Sequence, residues 1–301
     1  MKPDLSLKIA GVKLRNPVIA ASGTFGYGRE YQGLLDISRL GAICSKGLTL
    51  KPRPGNQGRR IYETPSGMMN SIGLENPGIA YFIENELPHL RKLGPAVIAN
   101  LSGSTVDEYV MGGKLLNNSS VDMIELNISC PNVKAGGMAF GLEPKTAAAV
   151  TGQVRKAAYS KPLMVKLSPN APDLLAVARA CIDAGADALS LINTIKAMAI
   201  DIDRREPVFE MTSAGLSGPA IRPIALRMVW ELYEVVRVPI VGIGGIASAS
   251  DALEFLLAGA VAVQVGSATF AHPPLMNEII DGISGYMQRM GIDRLSKLSI
   301  R

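Results

Sequence analysis

The chain has 301 residues, 48% of them hydrophobic and 19% charged, with a formal net charge of +5. That balance excludes a disordered chain. The densest basic stretch, Lys51 to Arg60, is broken by Pro and Gly, reads as a solvated loop and gives no support for nucleic-acid binding. No window is long and uncharged enough to span a bilayer, and three cysteines without CxxC spacing argue against disulfides, zinc or an iron–sulfur cluster held by this chain alone. The expectation is one cytoplasmic domain covering residues 1–301.

Met1 to Pro17 alternates Leu5, Leu7, Ile9, Val12 and Leu14 around Ala10-Gly11, the pattern of a hairpin. Eight short apolar runs follow: Val18–Ala21, Ala42–Ser45, Val97–Asn100, Met123–Asn127, Leu163–Lys166, Ala188–Ile192, Pro239–Val241 and Ala262–Val265. Helical patterns cover Thr105–Leu116, Glu143–Ala158, Pro172–Ala184, Ala220–Val236 and Ser250–Leu257, with weaker ones near Arg29–Leu35 and Gly78–Leu93. Continuous apolar strands between amphipathic helices imply a parallel sheet covered on both faces. Eight such units favour an α/β fold of the (β/α)8 TIM-barrel type over an open doubly wound sheet. Two connections, Lys46–Gly78 and Asn193–Pro219, are too long for simple barrel loops. Both follow strands and so belong to the mouth where barrel enzymes carry their sites.

The residues just past the strands converge on that mouth. They are Ser22-Gly23, Lys46-Gly47, Asn100, Asn127 with Cys130 and Asn132, Lys166, Asn193-Thr194, Gly244-Gly245 and Gly266-Ser267. Gly-rich backbone after the last two strands is where this fold cradles phosphate. Lysines ending apolar strands are costly unless they point into a polar site, which makes Lys46 and Lys166 functional candidates. Phosphate, lysines and amides together suit flavin mononucleotide (FMN), with a lysine stabilising the anionic reduced ring.

Asn127-Ile128-Ser129-Cys130-Pro131-Asn132 carries two amides, a hydroxyl and a thiol directly after a strand, more chemistry than a packing connection needs. His89 sits on an outer helix pattern and His272 before Pro273-Pro274, both outside the strand ends, while Cys44 and Cys181 lie in apolar settings. Cys130 is therefore the candidate proton acceptor or nucleophile. A barrel lyase or isomerase using Lys46 or Lys166 as a Schiff base stays open on these residues alone.

Together with that loop, Leu14-Arg15-Asn16-Pro17, Ser45-Lys46-Gly47, Asn70-Ser71-Ile72-Gly73-Leu74 with Asn76-Pro77-Gly78, Asn193-Thr194, Gly215 to Pro219 and Gly242 to Ile246 span the chain. In these motifs it resembles the class 1 dihydroorotate dehydrogenases. Val133 to Gly141 looks like subclass 1B, which passes electrons to NAD through a partner subunit. The resemblance implies oxidation of dihydroorotate to orotate in pyrimidine biosynthesis, with the C5 proton going to Cys130 and the C6 hydride to FMN. It implies FMN contacts at Ser22, Lys46, Gly47, Asn100, Asn127, Lys166, Ile192, Gly218, Gly244, Gly245, Gly266 and Ser267. Substrate contacts follow at Lys46, Asn70, Ser71, Ile72, Gly73, Leu74, Asn127, Asn132, Asn193 and Thr194. It further implies a homodimer joined by a subunit carrying FAD and an iron–sulfur cluster, in a heterotetramer. Related dihydrouracil or dihydrothymine dehydrogenases and the fumarate-dependent 1A type are the alternatives. Phe209 to Ala214 departs from the Gly- and Thr-rich lead expected before Gly215, and Ser267 stands where many members have Thr.

Overall fold

The computed structural model describes residues 3–129 and 137–298. It opens with an antiparallel hairpin of β1 (Leu7–Ile9) and β2 (Val12–Leu14), in which Leu7 pairs with Leu14. The turn places Ala10 and Gly11 at φ 46° and 88°. Eight strands then close a parallel barrel: β3 (Val18–Ala20), β4 (Ala42–Cys44), β7 (Ala96–Leu101), β8 (Met123–Asn127), β9 (Leu163–Lys166), β10 (Ala188–Leu191), β15 (Ile240–Ile243) and β16 (Ala262–Val265). Each expected strand is present; the seventh begins one residue late and runs to Ile243.

Alternation along these strands decides what faces where, because successive side chains point to opposite faces. Ile124 and Leu126 of β8, Leu163 and Val165 of β9, and Val263 and Val265 of β16 join the apolar layer under the helices. Their alternates point inward. At the strand starts these are apolar: Met123, Met164, Ala188 and Ala262 pack with Ile9 and Leu14, so the hairpin plugs that end of the barrel. One layer higher the inward positions are polar: Asn100, Glu125, Ser190 and Gln264, all buried. At the strand ends come Asn127 and Lys166, paired across β8 and β9.

The helices Val106–Asn117, Pro144–Ala157, Leu174–Asp183, Arg222–Val235 and Ala249–Leu257 occupy the expected segments. Thr105 and Ser248 cap two of them, accepting from the Glu108 and Asp251 N–H groups. The Arg29–Leu35 pattern yields only a 3-10 turn, Arg29–Tyr31, started after Gly28 at φ 82°. A helix over Leu275–Arg289 was not expected from the sequence, yet it buries Met276, Ile279, Ile283 and Met287.

The two long connections are not loops. They contain β5 (Ile61–Thr64), β6 (Gly67–Asn70), β11 (Ile195–Ala197), β12 (Ile200–Asp201), β13 (Glu206–Pro207) and β14 (Ala214–Ser217). β11, β14, β6 and β5 form a four-stranded sheet in that order, with Gly215 opposite Asn70. The Phe209–Ala214 segment that departs from the resembled pattern buries Phe209 and Ala214 against Met69 of β6.

Candidate active site

Between the barrel mouth and the four-stranded sheet lies a cavity of about 330 Å³. The barrel contributes Ser22 after β3, Lys46 and Gly47 after β4, Asn127, Lys166, Ile192 to Thr194 after β10, Gly244 and Gly245 after β15, and Gly266 and Ser267 after β16. Asn70, Ile72, Gly73, Leu74 and Gly218 line it from the inserted segments. Two of the expected contacts stand behind this wall. Asn100 is fully buried and accepts from Asn127 Nδ2 at 3.3 Å. Ser71 accepts from Asn56 Nδ2 at 3.0 Å, and its N–H donates to the Arg60 carbonyl. Cys130 and Asn132, with most of the segment that suggested subclass 1B, lie outside the described residues.

Gly245 shows why the turn after β15 is built of glycine. Its φ is +72°, and a Cβ there would meet Arg222 Cβ at 2.7 Å and the Gly218 carbonyl oxygen at 2.8 Å. Arg222 is itself clamped by Asp251 at 2.6 Å and Glu254 at 2.7 Å, so the helix opening at Ser248 is tied to its neighbour behind the cavity.

The floor of the site is organised by Glu125, which sequence reasoning missed. Its Oε1 accepts from Asn100 Nδ2 at 2.6 Å and from the Cys44 thiol at 3.3 Å. Its Oε2 accepts from Gln264 Nε2 at 2.6 Å and Ser190 Oγ at 2.8 Å. Lys166 Nζ lies 3.8 Å from Oε1, the two side chains being 7% and 0% exposed. Burial by itself would raise the carboxyl pKa, but the Lys166 ammonium and the three nitrogen and hydroxyl donors hold it below the usual value. A lone charged residue in the apolar run Met123–Asn127 was the available signal, since an unpaired charge is not tolerated there. Gln264 also lines the cavity, and its buried Oε1 has no partner among the described residues.

The other titratable candidates stand apart. Burial and the neighbouring Glu125 push the Cys44 thiol well up, and burial raises Cys181 to about 11. His272 is paired with Glu278 on the surface, and neither it nor His89 lines the cavity. Among the described residues no group of three or more His, Cys, Asp or Glu could hold a metal ion. No described helix is long and apolar enough to cross a membrane.

The family model described as "Dihydroorotate dehydrogenase" matches residues 4–287. The chain belongs to the dihydroorotate dehydrogenase family. It is 56% identical over 295 residues to a protein of Petrotoga mobilis, with 98% of each chain covered. It is 55% identical over 298 residues to one of Geotalea daltonii, covering 99% of this chain and 97% of that one. A protein of Caldicellulosiruptor bescii is 53% identical over 295 residues, with 98% of each covered. All three carry the name "Dihydroorotate dehydrogenase B (NAD(+)), catalytic subunit".

The cavity fits the FMN that membership in this family implies. Glycine turns follow the last two barrel strands, two lysines face one space, and the Gln264 oxygen offers a buried acceptor awaiting a donor.

Proposed function

We propose that this chain oxidises (S)-dihydroorotate to orotate in de novo pyrimidine biosynthesis, using bound FMN and handing the electrons to NAD+ through a partner subunit. One observation carries the reading: Lys46, Lys166, the amides of Asn70, Asn127 and Asn193, and the glycine turns after β15 and β16 line a single cavity. The relatives named as catalytic subunits of an NAD(+) enzyme support the choice of acceptor and the need for a partner.

In this reading Gly244, Gly245, Gly266 and Ser267 hold the phosphate of FMN, as glycine-rich backbone holds anions elsewhere. Ser22, Gly47, Asn127, Lys166, Ile192 and Gly218 hold the rest of it, with Asn100 behind the wall orienting the Asn127 amide. Lys46 and the Asn70 to Leu74 segment, with Asn127, Asn132, Asn193 and Thr194, fix the substrate ring and carboxylate, so that C5 meets a base on one side. Cys130 is that base and takes the C5 proton. FMN supplies the acceptor for the C6 hydride.

The acceptor question sets the oligomer. A homodimer of this chain, joined by a subunit carrying FAD and an iron–sulfur cluster, gives a heterotetramer with a route to NAD+. The assembly works in the cytoplasm. Anaerobic mixing of the purified chain with dihydroorotate tests the chemistry: the yellow absorbance bleaches and about one orotate forms per FMN reduced. A colourless protein that cannot be reconstituted with FMN overturns the reading. Efficient NAD+ reduction by the chain alone removes the partner from it.

A further inference from the structure

The carboxylate at the barrel centre does not border the cavity, yet it governs groups that do. A carboxylate only accepts, so Asn100 must turn its NH2 toward Glu125, at 2.6 Å. That leaves Asn100 Oδ1 to accept from Asn127 Nδ2 at 3.3 Å. Asn127 Oδ1 in turn accepts from Asn193 Nδ2 at 3.4 Å. The donor–acceptor direction of this relay, from barrel centre to cavity wall, is thus set at its acidic end. The same carboxylate offsets the Lys166 ammonium 3.8 Å away, in a place too dry for salt to screen either charge.

We propose that Glu125 is a positioning residue for the flavin reaction, acting through Lys166 and the Asn100–Asn127–Asn193 relay to set how strongly the site favours the reduced over the oxidised cofactor. The inference rests on the FMN reading above. A negative charge 3.8 Å from the Lys166 ammonium would oppose the anionic reduced form of a flavin held at that lysine, so Glu125 tempers what Lys166 promotes. Nothing in this role requires Glu125 to touch cofactor or substrate.

The test is the two-electron midpoint potential of the FMN-loaded full chain, wild type against Glu125→Gln, read by equilibration with reference dyes. Glutamine keeps the shape and can keep an acceptor on Asn100. The Ser190 hydroxyl can rotate, and the Gln264 amide can turn its unpartnered Oε1 toward the new NH2. The substitution therefore removes the charge and turns the Gln264 amide at the cavity wall, so Ser190→Ala, which leaves Gln264 in place, is measured beside it. The expected result is a tenfold greater preference for reduced cofactor, about 30 mV upward, at unchanged FMN stoichiometry. A potential that stays put or falls, with FMN bound, overturns the proposal; a purely structural glutamate would change stability and leave the potential alone.

Should the glutamine variant not fold, Ser190→Ala decides. It keeps the charge and removes one neutral donor from it, so the preference shifts about twofold in the opposite sense. No shift in that variant overturns the proposal as well. A wild-type chain that takes up no FMN sinks the flavin reading itself, and that outcome is seen before any variant is made.

Discussion

The Tyr109 hydroxyl donates to the main-chain oxygen of Asn127 at 2.8 Å, joining the first turn of the helix Val106–Asn117 to the last residue of β8. Tyr109 is fully buried and Asn127 is 6% exposed, so the bond is made away from water. It holds the strand end from which the Cys130 segment departs.

Tyr109→Phe is expected to leave that carbonyl buried and short of a donor, costing about 1 to 3 kcal/mol. Urea unfolding of the apo chain measures it. A loss well below this range would mean that the Asn127 carbonyl readily finds another donor.

Cys130→Ala is expected to lower turnover by about 10²- to 10⁴-fold, the usual contribution of a positioned base, while FMN remains bound. Wild-type turnover should rise with pH through the thiol range near about 8.5, or lower if ammonium groups stabilise the thiolate. Full activity in the alanine variant, or loss of flavin from it, would take the base role away from Cys130.

Glu125 gives a pH dependence with a definite sign. Its folded pKa lies below the ordinary 4.5, so its contribution to stability is complete above that value and is lost as pH falls through the folded one. The stability difference between wild type and Glu125→Gln should therefore be constant near neutrality and shrink below about pH 4.5. Denaturant titrations across that range decide it. A difference that is flat down to acid pH would show that the carboxylate is not held ionised by its partners.

Gly245→Ala is expected to weaken FMN binding by tenfold or more with the barrel intact. The left-handed backbone alone costs a side chain about 1 to 2 kcal/mol, and Arg222 Cβ stands 2.7 Å from the new methyl. Flavin fluorescence quenching on titration into apo-protein measures the change. Equal affinity in the variant would remove this turn from the phosphate site.

The barrel was legible because each strand is a short apolar run ended by a polar residue or, in the last two, by glycine, a local signal. Lys46 and Lys166 were legible for the same reason: an ammonium closing an apolar strand is expensive without a purpose. Glu125 was not, although it stands in plain view between Ile124 and Leu126, because its partners come from five other strands and only closure of the barrel assembles them. The covering sheet escaped notice too, since β6 and β14 pair across some 145 residues of chain. The Leu275–Arg289 helix has helical apolar spacing, but Pro273-Pro274, Gly282 and Gly285 obscure it in the sequence.

That covering sheet makes the two inserted segments answer to one another. Asn70 of β6 and Ser217 of β14 both line the cavity, and Asn70 Nδ2 donates to the Gly215 carbonyl at 3.3 Å. A molecule seated beneath them touches both insertions at once, so its binding free energy is spent partly on cross-linking two distant stretches of chain. Amide protons of β6 and β14 should therefore gain exchange protection together on binding, ahead of those in the barrel, which is already held closed by its own ladder.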